Sequence, residues 1–401
     1  MLTTKKKYLL TLILIFTLIN LGLLATVVIL GMDYRELLLM DDGYYEMAGN
    51  IVKGKFQSDF YGFGYPLILT VLYLFPKFLH PFLRLFISML FTLGTILFVF
   101  KIFENYFEIK EIFWGCVAFI VNPLYVHWMF KSRVDAPLVL LLGLIIFCSQ
   151  RYFSQKKIQY IVSASFFLAI SVFTKPVFML LPFFVVFLSL FLKSKRVFIL
   201  GITLMLFSMM SFLATKRLIH TSGGREYYEV YSIVGSAFYV DAIIRDQDFR
   251  TQYMYIKDEN GNSIRNPHLV PGDEWIADYE KKYKNRNAIL MSLRLAYEKP
   301  GMVIQQLIVN PFLAFSLSST EVETFFHLII NSCLLILAIN GIARIKDKSD
   351  ILYTHLAMVL SVYALLILVH SRGPYFIPII PYLFTFAGKP LNHLVQRLKG
   401  K

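Results

Sequence analysis

Asp41 and Asp42 stand side by side about ten residues past an apolar stretch running from Tyr8 to Leu30. Neighbouring carboxylates can divide acid and base roles, because two close negative charges push one pKa upward. A partly desolvated carboxylate beside a membrane surface can take a proton from an attacking hydroxyl. The plainer reading is that one of them caps a helix starting around Gly43, where an acidic side chain satisfies free backbone N–H groups and the helix dipole. The two readings are compatible, one aspartate capping and the other working. The segment Met40-Asp41-Asp42-Gly43-Tyr44-Tyr45-Glu46 soon reaches Gly64-Tyr65-Pro66-Leu67, so the carboxylates are held close to the headgroup layer.

A second acidic residue, Asp135, follows His127-Trp128-Met129-Phe130-Lys131-Ser132-Arg133 and directly precedes an apolar run opening Ala136-Pro137. It can cap that helix, orient a sugar or position Arg133. His127, Lys131 and Arg133 could serve an anionic ligand end, although a lone histidine in such a loop is more often a surface residue. Lys175, in Phe173-Thr174-Lys175-Pro176, interrupts an otherwise apolar run. A cation there is a functional candidate, with snorkelling to the headgroups as the alternative. Arg372 lies in His370-Ser371-Arg372-Gly373-Pro374-Tyr375. Two cations at one mouth could hold a phosphate, Arg through its planar fork and Lys as a point charge. Asp33, Glu36, Asp41, Asp42, Glu46 and Asp59 could recruit a divalent cation, but carboxylate spacing alone is weak support. No P-loop, dinucleotide fingerprint, paired metal-binding histidines or nucleophile elbow occurs in a suitable context, which counts against an ATP-driven pump or a serine hydrolase.

These residues are carried by a chain of 401 residues with 57% hydrophobic and 16% charged content and a mean hydropathy of +0.60. So much apolar surface exceeds what a water-soluble core can bury, and the composition predicts an integral membrane protein. About ten stretches are apolar enough to span: 8–30, 82–103, 112–127, 135–152, 158–174, 176–192, 197–215, 325–343, 351–370 and 375–389. With Lys5-Lys6-Lys7 inside, ten spans also place 101–111, 151–157, 193–196, 344–350 and the tail from Lys389 inside. Those regions hold 18 Lys and Arg against 5 Asp and Glu, and the rest of the chain 22 against 21. The basic excess is therefore a topology signal, and it needs no nucleic acid. The N-terminal stretch is too long for a signal-peptide core and reads as an uncleaved first span. Cys116, Cys148 and Cys333 fall inside predicted spans and suggest neither disulfides nor a zinc site. The expected location is the cell membrane, multi-pass, with a cytoplasmic N-terminus.

Two shorter apolar stretches, Pro66 to Phe78 and Met302 to Leu317, read as interfacial helices on the outer surface. The segment 215–301 is rich in Tyr and nearly neutral, with 13 Lys and Arg and 12 Asp and Glu. Within it Tyr253 to Lys257 reads as a strand entering an Asn260-Gly261 turn, and Asp273 to Tyr297 as mostly helical. The expected organisation is a membrane module, 1–214, whose first outer loop (31–64) carries the chemistry, then an extracytoplasmic cap with its interfacial helix, 215–320, and C-terminal membrane helices, 321–401.

In this order along nearly the whole chain, Asp41-Asp42-Gly43-Tyr44-Tyr45 with Ala48, Gly64-Tyr65-Pro66-Leu67, Arg133-Val134-Asp135-Ala136-Pro137-Leu138, Phe173-Thr174-Lys175-Pro176, Lys299-Pro300 through Asn310-Pro311 and Arg372 to Pro381 resemble the glycosyltransferase C superfamily. The likeness is to its bacterial branch similar to protein O-mannosyltransferases and aminoarabinose transferases. The resemblance implies an all-α polytopic membrane fold with interfacial helices and a small α/β extracytoplasmic cap. It implies inverting transfer of a sugar from a polyprenyl-phosphate donor to a hydroxyl of a glycan, lipid or protein acceptor outside the cytoplasm. The family's catalytic aspartate precedes a tyrosine by four residues, which matches Asp41 with Tyr45 and makes Asp42 the adjacent acidic partner. Asp135 matches the acidic residue of the second outer loop, and Lys175 and Arg372 match basic positions at the lipid-facing mouth. Gly373-Pro374 separates Arg372 from Tyr375, where the family often has the two adjacent. The stretch before Gly64 lacks the Lys-Pro-Pro pattern of the aminoarabinose branch, which disfavours that substrate. A lipid-linked sugar transporter or flippase is the alternative class; it would place ionisable residues at mid-membrane depth, whereas nearly all charges here sit at span ends or in loops. A polymerase or ligase joining lipid-linked glycans differs mainly in its acceptor.

Overall fold

The computed structural model describes residues 4–33, 35, 38, 43–55, 62–131, 134–218, 234–235, 237–238, 240–241, 244, 255–257, 263–265, 270–284, 288–316, 321–346, 349–369 and 376–400. Along the chain run α1 (Thr4–Ile29), α2 (Gly43–Val52), α3 (Gly64–Leu69), α4 (His80–Phe103), α5 (Ile109–Ile120), α6 (Pro123–Phe130), α7 (Asp135–Gln155), α8 (Ile158–Thr174), α9 (Leu181–Leu192) and α10 (Lys195–Leu218). Then come strands β1 (Tyr255–Lys257) and β2 (Ser263–Arg265), followed by α11 (Val270–Tyr283), α12 (Ala288–Glu298), α13 (Pro300–Ser316), α14 (Glu321–Ala343), α15 (Asp350–Val369), α16 (Ile380–Phe384) and α17 (Gly388–Leu398). Short 3-10 turns lie at Thr70–Leu74, Lys77–Leu79, Pro176–Leu180, Ile377–Ile379 and Thr385–Ala387. The described residues are thus almost wholly helical. Two compact units emerge, one from residues 1–220, 330–362 and 377–401, the other from 221–329 and 363–376.

Five described helices are long and apolar enough to cross a bilayer: Thr4–Ile29, Lys77–Phe103, Asp135–Gln155, Lys195–Ala214 and Thr324–Ala343. The pair α5 and α6, bent by 62°, makes a sixth if counted as one. The bend has a local cause, because Asn122 accepts a bond from the Tyr125 N–H at 3.1 Å and Pro123 opens the next helix without an N–H to satisfy. Gly64–Leu74, Ile158–Thr174, Phe178–Leu192 and Asp350–Ala364 are apolar but shorter. Leu10, Leu14, Leu18 and Leu21 stay exposed on one face of α1, as a lipid-facing helix requires. These helices mark a membrane protein.

The last apolar stretch, 375–389, departs from the continuous span expected of it. Among its described residues it is broken into a 3-10 turn, the short α16, a second 3-10 turn and then α17. Pro378 and Pro381 each withhold an N–H from the helical ladder. The segment is nevertheless buried from Phe376 to Gly388. Cys116 and Cys148 are buried and Cys333 is exposed, all three unbridged.

Within the first unit, contacts at one end join regions far apart in sequence. Lys5 pairs with Glu104, Ser194 donates to Asp350 at 2.6 Å, and Tyr106 donates to the Ile351 carbonyl at 3.4 Å. The second unit has its own core, in which Ile276 and Tyr279 of α11 and Met291 and Leu295 of α12 pack with Val234, Ala237 and Phe238. Its hairpin is antiparallel, pairing Tyr255 with Arg265, Ile256 with Ile264 and Lys257 with Ser263. The expected strand there is present; Asn260-Gly261 lies outside the described residues.

Candidate active site

Asp135 and Lys175 form a buried ion pair, Nζ to Oδ1 at 3.1 Å. Local sequence explains how each arrives. Pro176 disfavours the helical conformation for the residue before it, and Lys175 is accordingly extended (φ −146°, ψ 102°), ending α8. Asp135 opens α7, and α8 runs back beside α7, so the end of one helix meets the start of the other. The helix-capping role does not fall to Asp135: the residue before α7 is Val134, with no side-chain cap, and the Asp135 carboxylate turns to Lys175 instead. Its other oxygen, Oδ2, is buried with no hydrogen-bond partner among the described residues. A buried carboxylate oxygen in that state costs free energy unless a water, proton or ligand donor completes it.

The Gly64-Tyr65 motif packs directly on this pair's neighbourhood. A Cβ at Gly64 would collide with Thr174, the residue before Lys175, and one at Gly62 would strike the Phe173 and Thr174 carbonyls. Only glycine permits so close an approach of backbone to helix end. Phe63 stacks on Phe173 at 5.9 Å, and both join Met47 and Ile51 of α2 in one apolar cluster. The α2 helix, the α3 segment and the α8 terminus are therefore held together.

Tyr65 leads to a residue that the sequence reading passed over. Arg84, fully buried in α4, donates from Nε to the Tyr65 hydroxyl at 3.2 Å, with its guanidinium 5.6 Å from the ring centre. Tyr65 also meets Tyr44 of α2 edge-on at 5.6 Å. Arg84 belongs to a stripe, His80, Arg84, Ser88 and Thr92, all buried and each four residues after the last. That spacing places them on one helical face. Polar repeats of this kind in an apolar span were the available signal: Arg84, Ser88 and Thr92 lie inside the 82–103 stretch, and only His80 falls before it.

Tyr45 sits on α2 with its hydroxyl 2.7 Å from His80 Nδ1. Tyr73 donates to the Tyr45 carbonyl at 3.2 Å, and the two rings stack at 5.6 Å. Burial, and then the Tyr45 phenol beside it, push the Tyr73 hydroxyl up to about 12, so it stays a donor at any physiological pH. Of the nominated residues, Asp135 and Lys175 meet at the α8 end that packs on Gly62 and Gly64, and Tyr45 meets Tyr73 and His80. Asp41, Asp42, Arg133 and Arg372 lie outside the described residues. Among the described residues no group of three His, Cys, Asp or Glu could hold a metal ion.

The dolichyl-phosphate-mannose-protein mannosyltransferase family model matches residues 67–215. This match supports a membrane glycosyltransferase of the glycosyltransferase C superfamily. It takes in His80, Arg84, Asp135 and Lys175 and leaves Asp41, Tyr45 and Arg372 outside. No curated protein matches the chain.

Proposed function

We propose that this protein is an inverting glycosyltransferase that moves a sugar from a polyprenyl-phosphate donor to an acceptor hydroxyl on the extracytoplasmic side of the cell membrane. In this reading Ile158–Thr174, Phe178–Leu192, Asp350–Ala364 and the broken stretch before α17 are further crossings, about ten in all, while Gly64–Leu74 lies in the interface and the N-terminus is cytoplasmic. The pairing of Lys5 with Glu104 and of Ser194 with Asp350 supports it, since all four belong to regions assigned to one face.

The observation that carries the proposal is the buried Asp135–Lys175 pair, with one carboxylate oxygen unpartnered among the described residues, beside the Gly64-Tyr65 motif and the buried Arg84. Asp135 fixes the Lys175 ammonium, and its Oδ2 offers an acceptor to a sugar hydroxyl. Lys175 and Arg372 steady the donor phosphate, and Arg84 holds the Tyr65 hydroxyl. Asp41, with Asp42 beside it, takes the acceptor proton as the acceptor oxygen attacks the anomeric carbon. The bond from that carbon to the phosphate oxygen breaks, and polyprenyl phosphate leaves with the electron pair. A single displacement inverts the anomeric centre, and fixed cations are most effective where charge builds on the leaving group. The acceptor is a glycan, lipid or protein hydroxyl, and the 215–320 segment is its extracytoplasmic cap.

Asp41→Asn keeps the side chain's shape and removes the base. With purified protein in lipid and a polyprenyl-phosphate sugar, the variant should release no polyprenyl phosphate while expressing and melting as wild type does. Turnover equal to wild type would remove Asp41 from the role, and equal turnover in the Asp42→Asn variant as well would remove the base altogether.

A further inference from the structure

We propose that His80 is a positioning residue for the first loop: by locking the Tyr45 hydroxyl it fixes the start of α2, the helix that begins immediately after Asp41-Asp42. The inference rests on the proposed transferase reading for its kinetic consequence and on geometry for its cause. His80 is buried at the first turn of α4, and its two ring nitrogens face different partners. Nε2 lies 2.9 Å from the Phe75 carbonyl oxygen. A carbonyl only accepts, so Nε2 carries the hydrogen. In the neutral ring Nδ1 is then an acceptor, and the Tyr45 O–H at 2.7 Å donates to it.

The tautomer is thereby set by the backbone of the turn before α4, and the direction of the Tyr45 hydroxyl follows from it. Tyr45 is restrained in two further ways. Tyr73 donates to its carbonyl, and the Tyr45, Tyr73 and His80 rings close on one another, with His80 edge-on at 5.8 Å and 5.3 Å to the two tyrosines. Tyr45 is the third residue of α2, so restraint of its side chain, carbonyl and ring restrains the helix start. Displacing a reacting group by about 1 Å can cost on the order of 10²-fold in rate.

Two near-isosteres separate the ring nitrogens. His80→Asn places an amide oxygen near the Nδ1 position and keeps an acceptor for Tyr45. His80→Gln reaches the Nε2 position, keeps the Phe75 contact and loses Tyr45. With full-length protein in lipid and a polyprenyl-phosphate sugar, Tyr45→Phe and His80→Gln should each lower kcat by on the order of 10- to 10²-fold, with KM for the donor little changed. Their double variant should fall no further than either alone, and His80→Asn should keep most of the turnover. Equal losses in His80→Asn and His80→Gln, or losses that multiply in the double variant, would overturn the proposal. A second measurement needs no activity: in a Cys333→Ser background, Asp42→Cys should react with a maleimide faster when His80→Gln is added and at an unchanged rate with His80→Asn. If wild-type protein transfers no sugar, the transferase reading fails and the labelling rates still decide the role of His80; identical rates in both variants would refute it.

Discussion

Asp135–Lys175 and Arg294–Glu298 are carboxylate–cation pairs of the same chemistry in opposite surroundings. The first joins the ends of two membrane-unit helices at 3.1 Å, with side chains 2% and 15% exposed. The second lies along α12 of the other unit at 2.5 Å, with side chains 37% and 34% exposed. The shorter pair also has a helper, since Trp275 Nε1 donates to Glu298 at 3.0 Å. Distance alone would rank it as the stronger. Solvent reverses that order: water and salt screen an exposed pair to nearly nothing, whereas a charge left alone in a buried place is costly whatever the pair itself was worth. Burial, more than length, marks the pair with consequences for folding and function.

The sharpest test removes half of the buried pair. Asp135→Ala takes the buried carboxylate from the Lys175 ammonium; removing one partner of a buried pair costs about 3–5 kcal/mol, read as a large fall in Tm in lipid or detergent. Adding Lys175→Met to it should recover most of the Tm, because an apolar replacement of both partners is often close to neutral. Sugar transfer should stay lost in that double variant. Recovery of both Tm and transfer would make the pair a structural staple only, and the comparison would lose its functional half.

Arg84 gives a test of intermediate size. Arg84→Lys keeps the charge and loses the planar fork that reaches the Tyr65 hydroxyl. Hydrogen bonds to charged groups contribute about 1.5–3 kcal/mol to stability, so Tm should fall by less than Asp135→Ala produces, and transfer should drop as the Tyr65 hydroxyl loses the Arg84 bond. A variant as active as wild type would show that any buried cation suffices at this position.

Arg84 also shows where sequence reading reaches and where it stops. Hydropathy located α1, α7, α10 and α14 because a long run of apolar residues has few alternatives to a helix. Asp135 and Lys175 were each nominated from an acidic or basic residue at the edge of an apolar run, and Pro176 foretold the helix end. Their pairing was not legible, since 40 residues separate them and only the return of α8 along α7 joins them. His80 and Arg84 escaped because a hydropathy window averages over their four-residue spacing. The final stretch misled for a related reason: apolar content registers burial, and Phe376 to Gly388 is buried, but it does not register that Pro378 and Pro381 break the helix. Asp41, Asp42, Arg133 and Arg372 keep their nominations from sequence alone.

The smallest effect belongs to the exposed pair, and its pH dependence carries a definite sign. The Trp275 N–H bond first, then Arg294, hold the Glu298 carboxyl below the usual carboxylate range. A depressed folded-state value means that the pair contributes above the ordinary value of about 4.3, and that this contribution fades as pH falls through the lowered value. Glu298→Gln removes the charge and retains an oxygen for Trp275. Its Tm should fall barely at neutral pH, less still in high salt, and should converge on wild type in acid. A neutral-pH loss as large as that of Asp135→Ala would break the comparison, because an ion pair open to water would then weigh as much as one sealed between helices.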